Sequence, residues 1–336
     1  MGLERWWERL RRLRFRKRSA AFAAAAGLVL VAVAAEGVAR AACGRSLWVH
    51  LRLPPRLQRI ELVGSAASGT VLDGGGGWLY GGRPTEIVIR SRKTAEGWDR
   101  PTDVVIRNGR LRGCIRVMGM GRNGQGEEVR LSSQREGHTA RAQAAAPSRI
   151  LISGLGIEAC GRIPVYLAPG VTGVTVERCS FDGWSSSAAI YLDAESGRNL
   201  IRNNRFAIRT GREVLAVDGS AGNRIEGNRF ERLPLGGVYL YRNCGEGGTV
   251  RHQSPQNNVI ADNWFNAAPL GCRSYAVWLG SRNGHRMYSE ADAGYPFGSS
   301  ADNRDFANRN VVTNNTFAQA CARSVRDDGA DNCVER

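Results

Sequence analysis

Short runs of alternating apolar and polar residues recur along the second half of the chain at a nearly constant distance. Asn199-Leu-Ile-Arg-Asn-Asn-Arg-Phe206, Asn223-Arg-Ile-Glu-Gly-Asn-Arg-Phe230, Asn258-Val-Ile-Ala-Asp-Asn-Trp-Phe265 and Asn310-Val-Val-Thr-Asn-Asn-Thr-Phe317 are four copies, and Val174-Thr-Val-Glu-Arg-Cys-Ser-Phe181 is a weaker fifth. Phe181 to Phe206 is 25 residues and Phe206 to Phe230 is 24, the length of one coil of a β-solenoid. The next two steps, 35 and 52 residues, keep the repeat and lengthen only what lies between, so the added residues are expected as loops on one edge.

A second short strand belongs to each coil: Ile115-Arg-Val-Met118, Val165-Tyr-Leu-Ala168, Ile190-Tyr-Leu-Asp193, Leu215-Ala-Val-Asp218, Val238-Tyr-Leu-Tyr241 and Val277-Trp-Leu-Gly280. Its first and third columns are aliphatic. Successive side chains of a strand face opposite ways, so these columns line a core while the second and fourth point outward. Leu155, Cys179, Asn204, Asn228, Asn263 and Asn315 form a further column at a turn, where stacked side-chain amides can bond from coil to coil.

On the Asn-x-Ile-x-x-Asn-x-Phe repeat, the chain resembles a right-handed parallel β-helix of the pectate-lyase-like superfamily from about Arg59 to Val325. The expected fold is therefore all-β, a solenoid with coils of about 24–25 residues and insertions on one edge. The repeat is a signature of architecture and not of activity. The superfamily's known catalytic signatures are missing: there is no Asp-Pro-His-Asp, no Gly-His-Gly and no Arg-Ile-Lys, and Arg162-Ile-Pro-Val-Tyr-Leu167 lacks the final arginine of many pectate lyases.

The N-terminus reads differently. Met1 to Arg18 is dense in arginine, Ser19 to Ala35 is 17 uncharged residues, and Ala39-Arg-Ala41 offers a small-x-small cleavage site. Residues 1–42 are thus an expected signal peptide, or alternatively an N-terminal membrane anchor, with residues 43–336 as the solenoid domain in the periplasm or outside the cell. All eight cysteines lie beyond this segment, and in an exported chain an even count suggests disulfides. Their positions suggest neighbouring pairs, Cys160 with Cys179, Cys244 with Cys272 and Cys321 with Cys333.

The whole chain carries +16, and beyond residue 42 the 38 basic and 28 acidic residues still leave +10. Such a surface attracts a polyanion. The charge is dispersed through turns without a recognition motif, which argues against nucleic acid. The outward second column carries Tyr166, Tyr191, Tyr239 and Trp278, and such an exposed aromatic ladder suits the flat faces of sugar rings. An acidic polysaccharide is accordingly the expected partner.

The fourth column places Asp193 and Asp218 on adjacent coils, about 4.8 Å apart, with Glu195 nearby. These carboxylates read equally as a Ca²⁺ site, a proton-sharing pair or a solvated row. Insertions follow three of the strands, at 119–147, 242–256 and 281–308, and carry His138, His252 and His285. Arg242-Asn243 and Arg282-Asn283 recur one coil apart. The leading expectation is a lyase, in which neutralising a uronate carboxylate acidifies the C5 proton for β-elimination. Arg242 or His252 is then the candidate base, Tyr241 the acid and Arg282 the carboxylate clamp, with Asn243 and His285 beside the substrate. A hydrolase using Asp193 and Asp218, or a non-catalytic envelope polysaccharide-binding protein, are the alternatives.

Overall fold

The computed structural model describes residues 57–233, 235–266, 274–285, 294–318 and 324–335. The expected export segment lies outside them, as do Cys43, Cys272 and Cys321.

The chain forms a right-handed parallel β-helix whose strands join those one coil away. One sheet, here sheet I, runs through Gln58–Val63, Thr85–Arg90, the end of Val105–Met118, Val165–Leu167, Ile190–Leu192, Leu215–Asp218, Val238–Tyr241, Val277–Leu279 and Val325–Asp327. The other, sheet II, contains the repeat strands, among them Thr175–Glu177, Leu200–Arg202, Arg224–Glu226, Val259–Ala261 and Val311–Thr313. The expected columns are in register. Ile115, Val165, Ile190, Leu215, Val238 and Val277 pair along the axis and are wholly buried.

The terminal phenylalanines of the repeat stack as predicted. Phe181, Phe206, Phe230 and Phe265 have ring centroids 4.8, 4.8 and 4.6 Å apart, and Phe317 follows at 5.5 Å. Beside them the turn column forms an amide ladder, in which Asn204 Nδ2 donates to Asn228 Oδ1, Asn228 to Asn263 and Asn263 to Asn315, each at 3.0 Å. The first asparagine of each repeat builds a second ladder, Asn199 to Asn223 to Asn258 to Asn310 to Asn332. Each such buried bond stabilises by about 1 kcal/mol, and each leaves two orphans if broken.

The strand Val105–Met118 serves both sheets, turning the corner at Gly113 with φ +135°. A Cβ there would stand 1.9 Å from the Thr85 carbonyl oxygen, so only glycine fits.

The expected Cys160–Cys179 disulfide does not form. Cys160 is exposed and aligned with Trp184, whereas the buried Cys179 thiol lies 3.2 Å from the Glu177 carbonyl inside the turn column. In the other two expected pairs one partner falls outside the described residues.

Candidate functional site

The outward face of sheet I holds the predicted ladder in the predicted order: Arg116, Tyr166, Tyr191, Ala216, Tyr239, Trp278 and then Arg326. Its exposure differs from expectation. Tyr166, Tyr191 and Tyr239 are 5%, 8% and 8% exposed, and Trp278 is half-buried. Guanidinium groups cover the rings instead. Arg116 lies 4.4 Å from the Tyr166 ring, Arg212 5.9 Å from Tyr191, Arg282 4.2 Å from Tyr241 and Arg326 4.5 Å from Trp278. What the ladder presents to solvent is a row of stacked arginines, in which Arg212 already pairs with Glu213 at 2.9 Å and Arg326 with Asp328 at 2.7 Å.

The hydroxyls of Tyr166, Tyr191 and Tyr241 each find a carboxylate, while that of Tyr239 accepts from the Tyr275 backbone at 3.2 Å. Tyr166 donates to Asp193 through a short bond, Tyr191 to Asp218 at 2.7 Å and Tyr241 to Glu213 at 2.8 Å. Asp193 and Asp218 do occupy adjacent coils, and burial pushes the Asp193 carboxyl upward, Arg251 opposing and Asp218 adding to the shift. Burial raises the Tyr166, Tyr191 and Tyr241 hydroxyls well above 10 and Tyr239 to about 12, so all four stay protonated at neutral pH. Tyr241 also accepts a bond from Arg212 at 2.6 Å.

The three insertions do not stand as separate walls. The first contains two helices, Glu127–Ser133 and His138–Ala145, and packs on the second. There the ring of His138 lies 5.3 Å from that of His252, whose Nε2 donates to the Ser133 carbonyl at 2.7 Å. Phe297 of the third insertion completes the cluster, 4.8 Å from His252. His285 is exposed and apart from it.

Two buried carboxylates pin this lid. Glu195 accepts from the Thr139 hydroxyl and from the backbone of His252 at 2.7 Å and Gln253 at 3.1 Å. Asp305 accepts from the backbone of Arg242, Arg282 and Asn283 at 2.9, 2.8 and 2.7 Å. Neither residue type at these positions signals its role in sequence, since the partners, mostly main-chain groups, lie many residues away.

The nominated side chains are therefore only partly assembled. Arg242 is buried with its Nη2 on the carbonyls of Asp302 and Arg304 at 2.5 and 2.7 Å, which turns it toward the lid. Burial lowers its pKa, but the geometry is that of a staple and not of a base facing substrate. His252 is likewise committed to the Ser133 carbonyl. Tyr241, Arg282 and Asn243 do meet: Arg282 stacks on Tyr241 and donates to the Asn243 amide oxygen, while Asn243 donates to Asp218 at 2.6 Å. Sequence reasoning missed Arg212, Glu213, Asp305 and Arg251, the last of which is 2% exposed and reaches Asp193 Oδ1 at 3.4 Å.

A Ca²⁺ ion does not fit the carboxylates as they stand. Asp193, Asp218 and Glu195 already accept protein hydrogen bonds, and among the described residues no three His, Cys, Asp or Glu side chains are grouped to hold a metal. A concavity of about 550 Å³ opens elsewhere, at a corner of sheet II beside Gly154, Gly156, Arg178, Asn203, Arg205 and Arg229. Its arginines are taken up by Glu177 and Glu231, so it offers no free cation.

A family model described as "Right handed beta helix region" matches residues 123–332. Solved structures similar to this chain include the catalytic domain of a GH87 alpha-1,3-glucanase in complex with nigerose, at 13% identity and TM-score 0.37, covering 77% of this chain and 41% of that one. An alginate lyase from Paenibacillus sp. str. FPU-7 matches at 11% identity and TM-score 0.34, over 84% of this chain and 94% of the lyase. The A-module of a mannuronan C-5 epimerase from Azotobacter vinelandii matches at 12% and 0.30, over 83% and 91%. The chain thus spans less than half of the glucanase chain, and these likenesses are of fold alone. No curated protein sequence matches.

Proposed function

We propose, for a chain that belongs to the right-handed β-helix family, that it is a carbohydrate-active protein engaging an acidic, uronate-containing polysaccharide along the outward face of sheet I. The observation that carries this reading is the row of guanidiniums stacked on the aromatic column, Arg116, Arg212, Arg282 and Arg326. From the coil of Arg116 to that of Arg326 are six steps of the sheet, about 29 Å at roughly 4.8 Å per step, long enough for several sugar units. Guanidinium forks suit carboxylates spaced along such a polymer.

The chemistry we assign to this face is β-elimination at Tyr241. Arg282 and Arg212, both partly exposed, flank that hydroxyl and would hold the uronate carboxylate once they swing from the ring. The C5 proton passes to the Tyr241 oxygen as the hydroxyl's own proton moves to Glu213. The C5 electron pair forms the C4–C5 double bond, the C4–O bond breaks, and the leaving oxygen takes the proton from Tyr241, to which Glu213 returns the one it held.

A second reading, binding without catalysis, is favoured by the closed state of the centre: Tyr241 is 1% exposed and each of its partners is already bonded. Incubating the full chain with uronate polymers and neutral glucans separates the two. Elimination leaves an unsaturated product absorbing in the ultraviolet, which Tyr241→Phe abolishes while polymer retention persists. Retention without absorbance favours the binder. Equal retention of acidic and neutral polymers sinks both.

A further inference from the structure

Arg251 is the most deeply buried cation of the described chain and one of the least satisfied. It is 2% exposed, its Nη1 reaches Asp193 at the long distance of 3.4 Å, and its Nε has no hydrogen-bond partner. Two residues earlier, the fully buried Thr249 hydroxyl is unpartnered as well. A buried guanidinium left so exposed to its own desolvation penalty is costly, and native structures rarely keep one without an occupant to complete it. Asp193 is the nearest of the carboxylates that favour this charge, Asp218 and Glu246 being the others, but Tyr166 and the Ala194 amide also share its oxygens.

The surroundings are built to hold this side chain. Gly124 of the first insertion lies against the guanidinium, where a Cβ would stand 2.2 Å from Nη2 and 2.4 Å from Nη1. The Arg251 backbone exchanges two hydrogen bonds with Ser299 of the third insertion, N to Oγ at 2.9 Å and O from N at 2.8 Å. All three insertions therefore converge on one cation set above the Asp193–Asp218 pair.

We infer that Arg251 is the centre of an oxyanion-binding subsite beneath the lid, one that takes the carboxylate of a uronic acid with Nε and Nη in bidentate contact and the Thr249 hydroxyl as a further donor. This deepens the proposed function and rests on it only for the choice of carboxylate. The lid must part to admit the sugar, so binding here is coupled to movement of the two helices over 127–145.

Thermal melts and calorimetric titration of the full chain with sodium galacturonate, sodium glucuronate, sulfate and glucose test the subsite. Galacturonate or glucuronate should bind and raise the melting temperature, glucose should not, and sulfate distinguishes a general oxyanion site from one shaped for a sugar acid. Arg251→Gln should weaken uronate binding at least tenfold. Since that variant loses a buried charge and can fail to fold, Gly124→Ala supplies the check: it keeps the charge but displaces the guanidinium, and should weaken uronate binding severalfold in a folded protein. Uronate binding unchanged in a folded Gly124→Ala or Arg251→Gln protein overturns the inference, as does the lack of binding by either uronate to wild type. Polymer retention that depends on Arg282 and Arg326 is a separate readout, so the subsite and the polymer-binding reading can fail independently.

Discussion

The outward faces of the two sheets carry the same residue types and use them in opposite ways. On sheet II, arginines and carboxylates pair at the surface: Arg205 and Arg229 share Glu231 and Arg224 reaches Glu226, with arginine side-chain exposures of 49–57%. Such pairs are screened and contribute little. On sheet I the insertions cover the face, so Asp193, Asp218 and Glu213 are nearly dry and each is held by a directed bond, with Arg251 buried beside them. Identical chemistry becomes surface on one side and machinery on the other because chain was added to one edge only.

The sharpest test of that contrast is truncation of a dry carboxylate. Asp218→Ala leaves the Tyr191 hydroxyl and the Asn243 side-chain and backbone donors without an acceptor, and should cost about 3–5 kcal/mol in urea unfolding. A loss below about 1 kcal/mol breaks the comparison.

Acid should act next, through the lid. His138 is 1% exposed, and burial lowers its pKa from 6.5 to about 4, Glu195 opposing and His252, Arg251 and Arg141 adding to the shift. The unfolded chain takes up this proton first. The stability due to neutral His138 is therefore complete above pH 6.5 and declines as pH falls toward 4, by about 3 kcal/mol in total. Melts between pH 7 and 4 should show this decline, and His138→Gln should flatten it.

Polymer binding probes the solvent edge. Arg282→Ala should weaken retention of a uronate polymer about tenfold, near 1.4 kcal/mol, while Arg205→Ala on sheet II should leave it unchanged. Equal losses from both would mean that net charge and not the stacked row binds. Smallest of all, Glu231→Ala should change stability by under about 1 kcal/mol.

Much of the fold was legible in the chain. The 24- and 25-residue steps ending in Phe206 and Phe230 placed residues of successive coils in vertical register, and alternation assigned the core columns, because both rules are local and periodic. The site was legible only in part. Asp193, Asp218, Tyr241, Arg282 and Asn243 could be found from the columns they occupy. The burial of Tyr166, Tyr191 and Tyr239 could not, since it depends on how three non-repeating insertions pack on one another. Arg242 and Arg251 illustrate the limit. Both are arginines of the same insertion, yet one turns to carbonyls of the lid and the other to Asp193. No periodicity distinguishes them, because nothing in an insertion repeats.

The two asparagine columns have a direction. In every step the amide of one coil gives its proton to the oxygen of the next, from Asn199 through to Asn332, and never the reverse. A coil is thus a module with a donor end and an acceptor end, and a copy spliced in the same sense meets matching neighbours on both sides. Gene duplication of a single 24-residue turn could lengthen the arginine-bearing face by one increment at a time, so that reach along a polymer is set by counting turns and not by redesigning either end.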